Sequence, residues 1–180
     1  MIKIAVVGDI GSGKSHIAKL FGYPVFNADL EVAEIYKTNK NCFKKLKKNL
    51  PKFFSVFPVN KIQIIKAIED SEKNLKKITK IIHPEIRKKL TVFLKKNKKR
   101  KVVVLDIPLL LENKLNHKSD ILVFIQSRKS DIIKKLKERN NFNLNLYHQF
   151  KKIQLPLSYK KKKSNHIIKN NFTNKLVKIS

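Results

Sequence analysis

Residues 8–15 read GDIGSGKS, a match to G-x-x-x-x-G-K-[ST]. The match follows IKIAVV (2–7), a short β-branched apolar run that reads as a buried strand. It precedes SHIAKLF, whose apolar residues at 17, 18, 20 and 21 suit a helix. Between a strand and a helix, this pattern is chemistry for a polyphosphate. Gly8, Gly11 and Gly13 let the backbone approach phosphate oxygens closely. The turn around Ser12 aims successive N–H groups inward as an anion nest, and the helix beginning near Lys14 adds its partial positive end. The Lys14 ammonium is expected on the β- and γ-phosphates of an NTP, and the Ser15 hydroxyl on Mg²⁺. An ordinary glycine turn is the bland alternative. It sits poorly with a chain that has only 4 glycines and places these three in one loop.

The loop specifies a donor and leaves the acceptor open, so the carboxylates matter. Asp29 falls at the predicted C-terminal end of a second short strand, YPVFNAD (23–29). Ligands of open α/β sheets bind beyond such strand ends. A carboxylate there can take the proton of an acceptor hydroxyl. The competing reading is an N-cap for the following helical stretch LEVAEIY. Asp106 ends the apolar strand VVVLDI (102–107). It reads either as an acid holding Mg²⁺ through water or as a carboxylate capping the next turn. Glu112, in PLLLEN, reads as an architectural residue or as a site acid. His83 reads as a local packing or capping residue, and His117, His148 and His166 lack metal-ligand spacing.

These residues need a frame. ILVFI (121–125) is another apolar strand and HIIK (166–169) a last short one. SDIIKKLKERN looks helical, with Ser130 as a possible cap. From Leu30 to about Lys99 the pattern is helical, punctuated by Pro51, Pro58 and Pro84. Gly22 is a plausible terminator of the first helix. Strands separated by helical stretches predict βαβ units and a parallel sheet. The gap between the second and third strands is too long for a plain crossover and predicts a helical insertion.

Composition bounds the rest. The 180 residues suit one domain with room for a core, and 42% are hydrophobic. No apolar run reaches the ~18 residues of a membrane span, and MIKIAVV lacks the features of a signal peptide. A single cysteine, Cys42, excludes an intrachain disulfide. A cytoplasmic protein is expected. The 42 Lys and Arg against 13 Asp and Glu give a formal charge of +29. That charge suits a polyanion partner. Yet only Arg87, Arg100, Arg128 and Arg139 are arginine, the usual bidentate reader of guanine. Lys, Asn, Ile and Phe, all with A/T-rich codons, dominate the chain, so compositional drift is the competing reading. The runs KKNKKRK (95–101) and KKKK (160–163) are expected to be solvated helix ends and linkers.

Beyond the loop, the chain resembles the dephospho-CoA kinase family over nearly its whole length. FGYPVFNADLEVAEIY resembles the family's segment with Asp-Ala-Asp after the second strand, and IIHPEIRKKL its HP-containing helix. VVVLDIPLLLEN resembles its third strand with Pro-Leu-Leu-x-Glu, here Pro108, Leu109 and onward to Glu112. Lys135 and Arg139 match a basic pair four apart on the family's lid helix, and Gln154 and Asn170 are later anchors.

The resemblance implies a P-loop kinase-type three-layer α/β sandwich. Its mostly five-stranded parallel sheet would be built from about 1–29, 101–127 and 161–180. A helical CoA-side insertion would span about 30–100 and a lid about 128–160. It implies transfer of the γ-phosphate of ATP, with Mg²⁺, to the ribose 3′-hydroxyl of dephospho-CoA, in a monomer or small homo-oligomer. Asp29 would position or deprotonate that hydroxyl, and Lys135 and Arg139 would neutralise phosphate charge. The region of His83, Pro108, Leu109 and Glu112 would face the acceptor.

The chain departs from the family at Asn27, where the first Asp stands. It departs again at His16, where Thr is usual beside the nucleotide, and at Lys135, which lacks arginine's fork. Two rival readings remain: another P-loop nucleoside or nucleotide kinase, and a basic nucleic-acid-binding protein with a vestigial NTP loop. No RNA or DNA module supports the second.

Overall fold

The computed structural model describes residues 1–138 and 142–173. The chain divides into two compact units. One joins Met1–Asn27 to the chain from Asn97 onward, and the other is Ala28–Lys96.

The first unit is built on five strands: β1 (Ile2–Gly8), β2 (Val25–Asn27), β3 (Val102–Asp106), β4 (Ile121–Gln126) and β5 (His166–Lys169). They form one sheet in the order β2-β3-β1-β4-β5, and every pairing is parallel. Parallel sheets are covered on both faces, so their strands read as continuous apolar runs rather than alternating ones. That is why Ala5, Val6 and Val7, then Val103, Val104 and Leu105, then Leu122 through Ile125 are all buried. Ala5 sits in register with Leu105 on one side and Leu122 on the other.

Helix α1 (Lys14–Leu20) lays Ile17 and Ala18 on the sheet, against Val6, Val104, Val123, Ile125 and Ile168. Burying each branched side chain contributes about 1.5–3 kcal/mol. After β1 the chain moves toward β2, and after β4 it moves toward β5. The strand order therefore reverses between β1 and β4. A crevice opens beyond the C-terminal ends of strands at such a switch point. The Gly8–Ser15 loop lies there, since Gly8 is in register with Ile125 near the end of β4.

The second unit is four helices: α2 (Ala28–Thr38), α3 (Lys40–Asn49), α4 (Lys61–Asp70) and α5 (Glu72–Lys96). Local capping starts two of them. The Asn39 side chain accepts from the Cys42 N–H, and Asn60 and Gln63 form a reciprocal capping box. The stripe Leu75, Ile78, Ile82 and Ile86 is buried along α5, as are Ile35, Leu46, Phe54 and Ile68 of the same unit. Lys89 pairs with Glu31 at 3.3 Å, tying α5 to α2. Burial and the nearby Glu85 push the Cys42 thiol up to about 11, so it stays an inert thiol at neutral pH.

Three local expectations give way. The second strand spans 25–27 rather than 23–29, because helix α2 already begins at Ala28. Acidic Asp29 and Glu31 in its first turn favour that early start. Pro84 lies inside α5 instead of ending it. The apolar stripe running through Ile82 and Ile86 buries both sides of the proline and offsets the lost backbone hydrogen bond. Ser130 is in the first turn of α6 (Lys129–Lys137), whose N-cap position belongs to Arg128.

Candidate functional site

Three backbone features shape the loop after β1. Ser12 N–H donates to the Asp9 carbonyl at 3.2 Å, which closes the turn. Gly13 sits at the N-cap of α1 at φ +87°, with no side chain capping the helix. No side chain caps the first amides of α1, as a phosphate cradle requires. Gly8 approaches β4 so closely that a Cβ there would lie 2.7 Å from the Ile125 carbonyl oxygen.

The loop is held from behind by residues distant in sequence. The Ser12 carbonyl accepts from Ser127 Oγ at 3.0 Å and from Asn170 Nδ2 at 2.9 Å. Asn170 is itself buried, its N–H donating to the Gln126 carbonyl and its Oδ1 accepting from the Phe172 N–H. A Cβ on Gly13 would collide with the Asn170 amide nitrogen. Gly13→Ala is therefore expected to cost roughly 1–2 kcal/mol from the left-handed backbone alone, plus displacement of Asn170. Chemical denaturation and ATP titration of the same variant check this, and unchanged stability with unchanged binding would refute it.

Within the loop, Lys14 Nζ donates to the Asp9 carbonyl at 2.6 Å. Ser15 and His16 are exposed at the start of α1, while Ser12 is fully buried. The Ser12 hydroxyl has no hydrogen-bond partner among the described residues. Asp9 is almost buried and draws cations from two places. Lys14 reaches its carbonyl, and Lys151 of α7 (Leu144–Lys152) meets its carboxylate at 2.5 Å.

Asp106, at the end of β3, is 3% exposed. Its Oδ2 accepts from Asn27 Nδ2 at 2.7 Å, across the β2–β3 register that pairs these two residues. The asparagine that departs from Asp-Ala-Asp thus serves as a donor to Asp106, a role a second carboxylate could not fill. Asp29 belongs to the other unit and sits in the first turn of α2, two residues past β2 in sequence. It is neither a strand-end residue nor the N-cap. His83 lies half-buried in α5, where burial and then the Arg87 charge hold its pKa below the ordinary value.

Pro108 is exposed after β3, and Leu109 adopts φ +56°. Such a conformation in a non-glycine residue persists only where its surroundings hold it. Here the Leu109 carbonyl is held by Asn113, through both its N–H at 3.0 Å and its Nδ2 at 2.9 Å.

Glu112 is occupied structurally. Its Oε1 lies 2.6 Å from Lys160 Nζ and accepts from the Leu155 N–H at 3.0 Å. The pair is nearly inaccessible, with side chains 3% exposed at Lys160 and 9% at Glu112. It ties the PLLLEN segment to α8 (Leu157–Lys163). The run KKKK was expected to be solvated, and three of its lysines are exposed, but Lys160 is core. Lys135, on the solvent-facing side of α6, pairs with Glu138 at 2.8 Å. That hydrogen bond is the largest of the effects holding the Glu138 carboxyl below its usual value. Arg139 lies outside the described residues.

Sequence reasoning missed Asp9, Ser127, Lys151 and Lys160. The Asp9–Lys151, Ser127–Ser12 and Lys160–Glu112 contacts join residues far apart in the chain, so local pattern carried no signal for them. Asn170 was marked as an anchor but not as a brace.

The family model described as dephospho-CoA kinase matches residues 2–175. A dephospho-CoA kinase from Wolbachia sp. subsp. Brugia malayi is 33% identical over 170 residues, covering 92% of this chain and 87% of that protein. One from Wolbachia pipientis wMel is 34% identical over 172 residues, with the same coverage of each chain. Among solved structures, TT1252 from Thermus thermophilus has a TM-score of 0.78 at 23% identity, covering 96% of this chain and 90% of that one. A dephospho-CoA kinase from Campylobacter jejuni has a TM-score of 0.60 at 23% identity, covering 95% and 89%.

Proposed function

This chain belongs to the dephospho-CoA kinase family, and from that premise we propose which of its residues carry out the transfer. It is a kinase that phosphorylates dephospho-CoA with ATP, the step that yields coenzyme A and ADP. The observation that carries the residue assignment is the Gly8–Ser15 loop at the sheet's switch point, with the first amides of α1 uncapped and a buried, unpartnered Ser12 hydroxyl.

The triphosphate of ATP lies in that loop. Its oxygens accept from the main-chain amides of residues 11–15, and the Lys14 ammonium swings from the Asp9 carbonyl onto the β- and γ-phosphates. Phosphoryl transfer leaves little covalent work for the protein, so positioning and fixed charge supply the acceleration. Asp29 orients the ribose 3′-hydroxyl and takes its proton as the oxygen attacks phosphorus. Lys135 and Arg139 neutralise charge spreading over the equatorial oxygens, and closure of the lid excludes water that would otherwise hydrolyse ATP. His16 flanks the nucleotide, and His83, Pro108 and Leu109 line the acceptor side. Glu112, through Lys160 and the Leu155 N–H, shapes that region rather than entering the chemistry.

Two oxygen donors fit Mg²⁺. The Ser15 hydroxyl and the Asp106 carboxylate are hard ligands, and this ion takes one or two protein groups beside waters and phosphates. When bound there, Mg²⁺ would supply positive charge that offsets the negative charge of the phosphates. Asn27 holds Asp106 in one orientation for that task. No helix among the described residues is long and apolar enough to cross a membrane. With one cysteine in the chain, this fits a cytoplasmic enzyme acting as a monomer or small homo-oligomer on small molecules, without specific nucleic acid.

A coupled ADP-release assay offering dephospho-CoA, adenosine, AMP and shikimate tests the acceptor. ADP release is expected with dephospho-CoA alone. No turnover above background with dephospho-CoA would sink the reading.

A further inference from the structure

Asp9 is an odd residue for its place. It sits inside the loop that must grip a highly negative phosphate chain, and like charges repel. Its side chain is only 12% exposed, so water screens its charge poorly. Two ammonium groups converge on this one residue. Lys14 Nζ binds its carbonyl at 2.6 Å, and Lys151 Nζ binds its Oδ1 at 2.5 Å. The same Oδ1 accepts from the Ile10 N–H at 2.7 Å. Lys151 comes from α7, 142 residues away along the chain, and its side chain is 38% exposed.

We propose that Lys151 is a positioning residue for nucleotide binding: it neutralises Asp9, so that the phosphate loop keeps a net positive charge. With both lysines present, two positive charges face one negative charge at the turn. Removing Lys151 cancels the surplus among the described residues and leaves the Asp9 carboxylate without its ammonium partner, while Lys14, bound at the Asp9 carbonyl, must leave to meet ATP. The pair also fastens α7 to the loop at the point where the phosphates lie. This inference rests on the reading of Gly8–Ser15 as the ATP site.

The test is a charge-coupling cycle read by titrating ATP into the intact protein. Asp9→Asn is suited to it, because the amide oxygen still accepts from the Ile10 N–H. Lys151→Met is expected to weaken ATP binding on the order of tenfold, about 1.4 kcal/mol. Lys151→Arg, which keeps the charge, should bind within about twofold of the parent, and so should the double variant Asp9→Asn with Lys151→Met. A purely structural tie would instead leave the double variant as weak as Lys151→Met. That outcome overturns the inference, as does a Lys151→Met protein with parental affinity. Thermal melting of each variant separates a folding defect from a charge effect. If the parent protein binds ATP but does not phosphorylate dephospho-CoA, the acceptor reading fails while this cycle can still be read. If it binds no ATP, both fail.

Discussion

Asp29→Asn should lower turnover by roughly 10² or more while ATP still binds, the usual loss when a general base is removed. The substitution is close to isosteric and keeps hydrogen-bonding capacity, so what is lost is the carboxylate's charge and its capacity to accept a proton. No neighbour in the motif can take over. Asn27 cannot act as a base, and Asp106 is engaged by the Asn27 amide at 2.7 Å. The alternative role for Asp29 is helical, since it is an acidic residue in the first turn of α2. Loss of that role alone would cost about 0.3–1 kcal/mol of stability and spare the chemistry. Steady-state kinetics beside a melting curve separates the two. A variant that turns over normally but melts slightly earlier would demote Asp29 to a helix residue.

Lys160→Met should be strongly destabilising. It removes one member of a nearly inaccessible pair and leaves the Glu112 carboxylate with the Leu155 N–H as its remaining partner in that contact. Breaking a buried pair from one side costs about 3–5 kcal/mol, a melting shift of roughly 10 °C in a chain of this size. Combining it with Glu112→Gln removes the stranded charge and should recover much of the loss. Urea unfolding of the parent, both singles and the double measures this directly. A Lys160→Met protein with an unshifted midpoint would show that the pair contributes nothing.

The exposed pairs set a useful contrast. Lys52–Asp70 at 3.4 Å is solvated and so worth little to stability. Lys160 and Lys161 are adjacent and chemically identical, yet one is core and the other surface. This is where reading the sequence stops. The phosphate loop was legible because its residues are contiguous and their spacing follows from the geometry of backbone and phosphate. The parallel sheet was legible because strands buried on both faces leave unbroken apolar runs such as VVVLD and ILVFI. Boundaries were less so. The second strand lost two residues at each end, at the C-terminal end because α2 starts early. What holds the loop was legible only in part. Asn170, Ser127 and Lys151 act across 115 to 158 residues of chain. No local periodicity encodes which polar residue will face which carbonyl after folding.

The strand order has a consequence for biogenesis. The central strand β1 emerges before its sheet neighbours β3 and β4, which are not synthesised until residues 102–126. The brace at Asn170 arrives later still. The nascent chain thus carries an apolar ribbon with open edges until β3 and β4 are made, a state prone to sticking to other chains. A ribosome that stalls before residue 166 would release a protein whose β4 lacks its outer partner and whose nucleotide loop lacks the Asn170 brace. The helical second unit, a compact body from Ala28 to Lys96, can form in the meantime.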